Sequence, residues 1–281
     1  MKITVLGASG FIGRHLCAAL RSRGDVIGTA SLRDPRAAAQ AGAGADVVVN
    51  LAGEPVAQRW SPRVKKLIRA SRVDAPRALL REIAALDERP KAYVSASAIG
   101  YYGTSETATF DESSSPGEGF LAEVCVAWEA EADRAAELGM RVAKVRTGLV
   151  LGIDGGALPK LLPIFRVGGG GIVASGKQWY SWIHIADQIG IYLHAIDGAT
   201  GVLDATAPHP VRNADFTAAF AKALHRPAIV PIPAFAMALV FGEGALVVTQ
   251  GQCVLPARTQ ATGYRFTYET IDSAFSALLN S

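Results

Sequence analysis

A glycine-rich turn near the start of the chain, GASGFIG at residues 7–13, constrains the fold more than any other feature. The residues before it, 2–6, are mainly apolar and rich in β-branched side chains, as in a strand buried on both faces. After it, Leu16, Ala19 and Leu20 recur at the spacing of an amphipathic helix. The pattern predicts a strand, a tight turn and a helix, which together form the first half of a βαβ unit.

The three glycines of this turn fit a site for a dinucleotide. Gly7 would allow the sharp turn, Gly10 would let the backbone approach a pyrophosphate, and Gly13 would let the helix pack closely on the strand. The unpaired N–H groups of the helix N-terminus attract phosphate. A purely structural turn is the alternative, but the position between a strand and a helix favours the dinucleotide. The cofactor contacts predicted at this turn are Gly7, Ser9, Gly10, Phe11, Ile12 and Gly13.

Bulk composition excludes several classes of protein. Half of the 281 residues are hydrophobic and 19% are charged, so a large core is expected and disorder is not. The net charge of +3 is too small for a nucleic-acid surface. Cys17, Cys125 and Cys253 have no metal or redox spacing and are expected to be buried thiols. We expect a cytoplasmic protein without signal peptide, metal site or nucleic-acid partner. No membrane partner is expected either, because the apolar stretch 234–241 is too short to span a bilayer.

Strands and helices alternate through the first half of the chain. Strand-like runs are predicted at 2–6, 26–30, 47–51, 92–95 and 141–145, and helices at 62–71, 74–86 and 121–138. Such alternation is typical of an α/β fold, a doubly wound, Rossmann-like parallel sheet with helices on both faces.

Glycine and proline become frequent after residue 150. We predict a Rossmann-like domain over 1–150 and a smaller mixed α/β substrate lobe with a C-terminal extension over 151–281. Some later segments, about 178–215, are expected to return to the first domain.

The interval between the second and third strand-like runs is short. Only about 13 residues separate residue 32 from residue 46, and one short helix near 35–40 fits there. A complete mononucleotide half needs a helix, a further strand and a crossover in this interval. The third strand of the sheet is therefore predicted to be missing or vestigial.

Arg33 follows the second strand, at the position that distinguishes NAD from NADP in dinucleotide-binding folds. An acidic residue after the second strand binds the ribose hydroxyl of NAD, whereas an arginine suits the 2′-phosphate of NADP. Arg33 lies beside Ser31 and is followed by Asp34. We predict NADP(H), with NAD as the alternative if Asp34 takes the ribose.

The next strand ends in small residues, Leu51, Ala52 and Gly53. Ligands bind at the carboxyl ends of strands in open α/β sheets, so these residues are predicted to contact the adenosine half of the cofactor. A plain strand-to-loop turn is the alternative. The basic residues that follow, over 59–72, spread around more than one helix face and are expected to be mostly solvated.

Six motifs together resemble the extended short-chain dehydrogenase/reductase superfamily, and more narrowly its atypical nucleoside-diphosphate-sugar epimerase-like branch. They are GASGFIG, VNLAGEPVAQRWSPRVKKLIRASRV, SASAIGYYG, FLAEVCVAWEAEA, RTGLVLGIDGGALPKLLPIFRVGGGG and SGKQWYSWIHIAD. The tail from about residue 225 resembles the C-terminal extension of that branch. The resemblance implies an NAD(P)-binding domain, a small substrate lobe, and hydride-transfer chemistry on a sugar nucleotide or a similar substrate.

The resemblance also implies a catalytic serine, tyrosine and lysine, of which only the serine is present. Ser97 stands at its position, with Ser95 as an alternative and as a predicted cofactor contact. Leu121 and Cys125 occupy the tyrosine and lysine positions, and neither side chain can replace the missing pair in acid–base chemistry.

Two other side chains are predicted to supply the acid–base chemistry. Tyr102 follows shortly after Ser97, and His184 can titrate near neutral pH. A structural histidine at the hinge to the small lobe is the alternative for His184.

These features predict an NADP(H)-binding oxidoreductase or epimerase-like enzyme with non-standard acid–base residues. A dinucleotide-binding protein without turnover, which senses redox state or regulates a partner, is the alternative. A homodimer is possible on either hypothesis.

Overall fold

The computed structural model describes residues 1–279. The strands are β1 Lys2–Leu6, β2 Val26–Ala30, β3 Val47–Asn50, β4 Ala92–Ala98, β5 Thr109–Phe110, β6 Arg141–Thr147, β7 Leu149–Gly152, β8 Gly155–Gly156, β9 Trp179–Tyr180, β10 Trp182–His184, β11 Gly201–Ala205, β12 Val211–Arg212 and β13 Cys253–Val254. The α-helices are α1 Phe11–Ser22, α2 Pro35–Gly42, α3 Pro62–Arg72, α4 Asp74–Ala84, α5 Phe120–Glu137, α6 Leu158–Arg166, α7 Ile185–Asp197, α8 Asn213–Ala223, α9 Ala234–Phe241, α10 Leu246–Thr249, α11 Ala257–Ala261 and α12 Ile271–Leu279.

Six parallel strands form the main sheet, in the order β2-β1-β3-β4-β6-β11. Leu6 at the end of β1 lies between Ala30 and Asn50. Because every strand points the same way, all their carboxyl ends meet at one edge, where open α/β sheets bind ligands. The predicted Rossmann-like α/β fold is confirmed.

The third strand of a complete mononucleotide half is missing, as the residue count predicts. Among the described residues, the interval between β2 and β3 contains α2 as its one regular element, and β2 is the edge strand. Asp34 caps α2, and Pro35 occupies its first turn. Ala38 and Ala39 of α2 then pack into the apolar core on one face of the sheet.

The main sheet has an apolar core on each face. Ile3, Val5 and Leu16 belong to the core that includes α1 and α7, whereas Leu79 and Tyr93 belong to the opposite core. A third core lies in the smaller C-terminal region, where the β7-β8-β10 sheet packs with α6, α8 and α12. After β10 the chain returns to the main sheet through α7 and β11, so this sheet includes residues from well beyond position 150.

Within residues 1–279, none of the helices has the length and apolar character needed to cross a membrane.

Candidate dinucleotide site

The first turn is a cradle that only glycine can form. Gly7 has a φ of +83°, and a Cβ on it would lie 2.9 Å from the backbone nitrogen of Ala52. A Cβ on Gly13 would lie 2.2 Å from the Gly7 carbonyl oxygen and 2.8 Å from the Ala8 Cα. The turn therefore contacts both α1 and the loop after β3 at backbone distance.

Helix α1 presents its N-terminus at this turn. The Gly10 N–H donates to the Gly7 carbonyl at 3.0 Å and closes the turn. No side chain caps α1 among the described residues. The first-turn N–H groups, next to the exposed Ser9 and Gly10, are the kind of donor set that binds a pyrophosphate.

Phe11, a predicted cofactor contact, also packs against the β7–β8 hairpin. A Cβ on Gly155 would lie 2.3 Å from the Phe11 ring, so the β7–β8 hairpin rests directly on this side chain. Asp154 in the hairpin pairs with Arg14 and His15, each at 3.0 Å. These contacts hold α1 against the smaller C-terminal region. Ile12 packs against the apolar core of the main sheet that includes α1 and α7.

Arg33 and Asp34 have different surroundings. The Asp34 carboxylate accepts a hydrogen bond from the Ala37 N–H at 3.0 Å and caps α2. Arg33 is exposed, and its guanidinium makes no ion pair with any of residues 1–279. The Asp34 carboxylate is therefore occupied by the cap of α2, whereas the Arg33 guanidinium is available to a phosphate.

The Arg72 side chain supports the loop after β3. The Arg72 guanidinium donates to the Glu54 carbonyl at 2.9 Å and lies over the Trp128 ring. A Cβ on Gly53 would lie 3.1 Å from this guanidinium. Burial lowers the pKa of Arg72, an effect partly offset by nearby Cys125 and Glu54.

Leu51 and Ala52 belong to the same loop. The Leu51 N–H donates to Leu6, and the Ala52 N–H donates to the Asn50 side chain at 3.1 Å. These bonds hold the predicted adenosine contacts beside the glycine turn.

Ser95 and Ser97 both lie in the last half of β4 and are buried. Ser95 donates to the Ala96 carbonyl at 2.9 Å. The Ser97 hydroxyl donates to the Glu129 carboxylate at 2.6 Å. Because its proton is directed at Glu129, Ser97 can offer only its lone pairs to a ligand, as a hydrogen-bond acceptor.

Ser97 is the first member of a buried polar network. Arg146 donates to Glu129 through two nitrogens, at 2.7 and 2.9 Å, and to the Tyr102 hydroxyl at 2.8 Å. Tyr102 in turn donates to the Asp204 carboxylate at 2.7 Å. Arg146 of β6 lies opposite Ser97 of β4 and Asp204 of β11. Glu129 reaches the network from α5, and Tyr102 from the turn after β4.

Burial makes both ends of the Tyr102–Asp204 pair hard to ionise. Tyr102 is 2% exposed, and burial together with the Asp204 charge raises its pKa. Burial and the neighbouring Glu112 raise the pKa of Asp204 well above its usual range. In this structure Tyr102 therefore serves as an internal hydrogen-bond bridge, which argues against the expected direct proton transfer from Tyr102 to a substrate.

Leu121 and Cys125 face the loop after β4, where the resemblance placed a tyrosine and a lysine. A Cβ on Gly100 would lie 3.3 Å from the Leu121 Cβ and 3.8 Å from the Cys125 Sγ. Burial raises the pKa of Cys125 to about 12. Neither residue offers a proton-transfer group at neutral pH.

His184 is a helix cap. Its Nδ1 accepts a hydrogen bond from the Ala186 N–H at 3.0 Å at the start of α7. Its ring lies tilted by 36° against the Tyr268 ring, with the two centroids 3.9 Å apart. Burial lowers its pKa, opposed by Asp187. His184 therefore caps α7 in this structure, as the alternative of a structural histidine implies, and its acid–base role stays a prediction.

Sequence reasoning missed three members of the site: Arg146, Asp204 and, as a partner of Ser97, Glu129. Two of them could have been found from the sequence, because Arg146 in KVRT and Asp204 in VLDA are charged residues near the ends of apolar strands. Such charges are costly to bury unless they are paired. No cluster of His, Cys, Asp or Glu side chains that could hold a metal is found in the part of the chain that the structure describes.

A glycine cradle and an uncapped helix N-terminus at the carboxyl edge of a parallel sheet define a nucleotide-binding, Rossmann-like protein. The sequence model of the NAD dependent epimerase/dehydratase family matches residues 3–203. A second model, a domain of unknown function called DUF1731, matches residues 232–278. The chain belongs to the NAD dependent epimerase/dehydratase family, as the motifs had indicated.

Relatives match along nearly the whole chain. The epimerase family protein SDR39U1 homolog of Arabidopsis thaliana, described as chloroplastic, is 40% identical over 302 residues, which cover 99% of this chain and 87% of that protein. The epimerase family protein YfhF of Bacillus subtilis (strain 168) is 34% identical over 298 residues, covering 99% and 98%. The expected cytoplasmic location stays a prediction.

Solved structures share the fold. The crystal structure of human epimerase family protein SDR39U1 (isoform 2) with NADPH has a TM-score of 0.92 and 35% identity, covering 100% of this chain and 99% of that chain. The UDP-glucose 4-epimerase of Thermotoga maritima, solved with UDP-glucose, has a TM-score of 0.82 and 15% identity, covering 100% and 98%. At that identity the second likeness concerns the fold alone.

Proposed function

We propose that this protein binds NADP(H) and acts as an oxidoreductase or epimerase on a hydroxyl or carbonyl group of a small substrate, in the class of sugar nucleotides. The observation that carries the cofactor choice is the contrast at the end of β2. Asp34 is engaged in capping α2, whereas Arg33 is exposed and unpaired within the described chain. The human relative solved with NADPH supports the same choice.

The residues that would hold the cofactor lie at one edge of the sheet. The backbone of Gly7, Gly10 and Gly13 would receive the pyrophosphate, and Arg33 would pair with the 2′-phosphate. When bound, the nicotinamide supplies or accepts a hydride. The full set of proposed cofactor contacts is Gly7, Ser9, Gly10, Phe11, Ile12, Gly13, Arg33, Leu51, Ala52, Gly53 and Ser95.

Ser97 is the proposed contact to the substrate. Its lone pairs would accept a hydrogen bond from a substrate hydroxyl, because its own proton points to Glu129 at 2.6 Å. As the substrate hydroxyl gives up its proton to Ser97, the Ser97 proton can pass to Glu129. Tyr102 acts through Arg146 as a positioning residue that holds Glu129 in place.

A binding protein without turnover is the second candidate function. Leu121 and Cys125 favour it, because they remove the usual tyrosine and lysine and replace them with an apolar group and a buried thiol. Both candidates share the NADP(H) site and differ only in hydride transfer.

Two measurements on the purified protein test these proposals. Calorimetric titration with NADPH and NADH measures cofactor binding. Loss of NADPH absorbance measures reduction of a series of aldehydes, and gain of NADPH absorbance from the oxidised cofactor measures oxidation of UDP-glucose. Chromatography of UDP-glucose and UDP-glucuronic acid after incubation with the protein and the oxidised cofactor measures epimerisation. One equivalent of tightly bound NADPH with turnover of any probe supports the enzyme. Binding without turnover of any probe supports the second candidate, and failure to bind NADPH overturns both.

If a substrate is found, two variants test the acid–base residues. Ser97→Ala should lower kcat by roughly a hundredfold while NADPH affinity changes by less than about threefold, because only the substrate contact is lost. Tyr102→Phe should lower kcat less and shift the pH profile of kcat, because it frees one nitrogen of Arg146 and alters the field at Glu129. An unchanged kcat in Ser97→Ala would remove Ser97 from the mechanism.

A further inference from the structure

An exposed apolar surface runs along the start of the C-terminal extension. Ile229, Phe235 and Leu239 are 81%, 69% and 70% exposed, and Val230 and Val240 are also exposed. All eight residues of α9 are apolar, and none of them is buried. We call Ile229, Val230, Phe235, Leu239 and Val240 the apolar strip.

The apolar strip continues onto the small region of the fold. The Val230 N–H donates to the Gly170 carbonyl at 3.2 Å, and the Ile232 N–H donates to the Ile172 carbonyl at 2.9 Å. These bonds place Val230 beside the segment 170–172, where Ile172 is 40% exposed. Contiguous exposed apolar patches of this extent mark interaction surfaces.

Arginines border this surface on both sides. Arg59 donates to the Leu239 carbonyl on one side, and Arg226 donates to the Arg166 carbonyl at 3.0 Å on the other. All three arginines are exposed, and none of them forms an ion pair within residues 1–279. Between residues 226 and 249 the sequence has one acidic residue, Glu243, which pairs with Lys65 at 2.6 Å.

We propose that the apolar strip and its three arginines form a docking site for an anionic lipid membrane. Apolar side chains on all sides of a short helix can enter the boundary between headgroups and acyl chains, and unpaired arginines can bind lipid phosphates. A second copy of the chain fits less well, because a symmetric contact would bring each arginine cluster close to its own copy. No helix needs to span the bilayer, so the shortness of the stretch 234–241 excludes a membrane span but not a membrane surface, and the proposal replaces the expectation of no membrane partner.

Vesicle co-sedimentation tests the proposal directly. The full-length protein is mixed with vesicles of phosphatidylcholine, with and without phosphatidylglycerol, at low and high salt. We expect binding to the anionic vesicles that weakens as salt is raised. Arg59→Gln/Arg226→Gln should weaken this binding roughly thirtyfold, and Phe235→Ser/Leu239→Ser by at least about tenfold.

Matched variants elsewhere on the surface serve as controls. Val26 is 68% exposed and lies on the edge strand β2, and Arg81 is exposed on α4 without an ion pair within the described chain. Val26→Ser and Arg81→Gln should bind anionic vesicles like the parent protein. Circular dichroism of every variant checks that the fold is retained.

Three results would overturn the proposal. The first is absence of binding to anionic vesicles, and the second is equal binding to both vesicle types at all salt concentrations. The third is a dimer in sedimentation velocity without lipid that Phe235→Ser/Leu239→Ser dissociates, because a second copy would then cover the strip. None of these results depends on NADPH binding or turnover, so failure here is distinct from failure of the proposed function.

Discussion

Arg33 and Asp34 are neighbours of opposite charge with different tasks, and this difference gives a sharp test of cofactor choice. Arg33→Gln should weaken NADPH binding by roughly ten- to a hundredfold, because a charge-assisted bidentate contact to the 2′-phosphate is lost. NADH has no 2′-phosphate, so its affinity should change by less than about twofold. Calorimetric titration of both cofactors against the parent protein and the variant measures the effect.

Arg36 provides the control for this prediction. It is exposed and lies in the first turn of α2, three residues from Arg33. Arg36→Gln removes the same charge from the same end of the sheet and should leave the ratio of NADPH to NADH affinity close to the parent value. An equal effect of both variants would mean that general charge, and not a specific contact, sets the preference.

Single residues of the site differ in how far the sequence predicts them. The glycines are predictable because their spacing encodes a local turn whose geometry excludes any Cβ. Arg146 meets Ser97 and Asp204 only because β4, β6 and β11 align in one register, and Glu129 reaches Arg146 from α5. No local pattern encodes that register, so the partners of Ser97 and Tyr102 become visible only in the folded structure.

At the scale of elements, the fit between α1 and the first turn depends on Gly13. A single added methyl group would lie 2.2 Å from the Gly7 carbonyl oxygen and would force α1 away from the turn. Gly13→Ala should destabilise the protein by about 1–3 kcal/mol and weaken NADPH binding, because the phosphate-binding backbone moves. Thermal unfolding and calorimetric titration measure the two effects.

Ala18 gives a comparison on the same helix. It lies on the exposed face of α1, so the added carbon atoms of Ala18→Val meet solvent. This variant should change stability by no more than about 0.5 kcal/mol and leave NADPH affinity unchanged. If Gly13→Ala behaves like Ala18→Val, the close packing of turn and helix is not needed for binding.

The cap of α7 predicts a dependence of stability on pH. Burial lowers the pKa of His184, so the folded protein keeps this ring neutral, and the neutral Nδ1 accepts from the Ala186 N–H. The unfolded chain binds a proton at about pH 6.5, so stability that is present above this pH is lost as the pH falls. His184→Asn can still cap the helix and does not titrate. It should therefore lose less stability than the parent between about pH 7 and pH 5.

Thermal unfolding at several pH values measures this effect, and His184→Ala should cost about 1 kcal/mol at neutral pH. Exposed His209 serves as the control, since His209→Asn should keep the pH dependence of the parent. A parent-like pH dependence in His184→Asn would show that another group causes the acid sensitivity.

The elements themselves were largely predictable. The missing third strand follows from counting, because about 13 residues hold one short helix and no more, and α2 fills that interval. The exposure of α9 does not follow from the sequence, since the eight apolar residues 234–241 would ordinarily indicate a buried helix. Burial depends on what packs against a helix, and in the fold α9 keeps most of its side chains exposed.

At the scale of the whole molecule, one buried carboxylate gives the C-terminal extension three of its hydrogen bonds to the main fold. Asp187, in the first turn of α7, accepts hydrogen bonds from the backbone N–H groups of Thr267 and Tyr268 at 2.8 and 2.9 Å. The Tyr264 hydroxyl also donates to this carboxylate, at 3.1 Å. Helix α7 packs on the main sheet, so these bonds connect the extension to the domain that carries the proposed cofactor site.

Asp187→Ala should therefore loosen the extension from the rest of the protein. The substitution leaves the backbone N–H groups of Thr267 and Tyr268 without their acceptor, a loss of about 2–4 kcal/mol, whereas the Tyr264 hydroxyl keeps the backbone carbonyl of residue 187 at 3.0 Å. Calorimetry should show one unfolding transition in the parent and a transition lowered by about 5–10 °C in the variant. Asp215 lies in the first turn of α8 but is exposed, so Asp215→Ala should shift the transition little. If both variants unfold at the parent temperature, the extension is held by its apolar contacts, through Phe266 and Phe275, and not by Asp187.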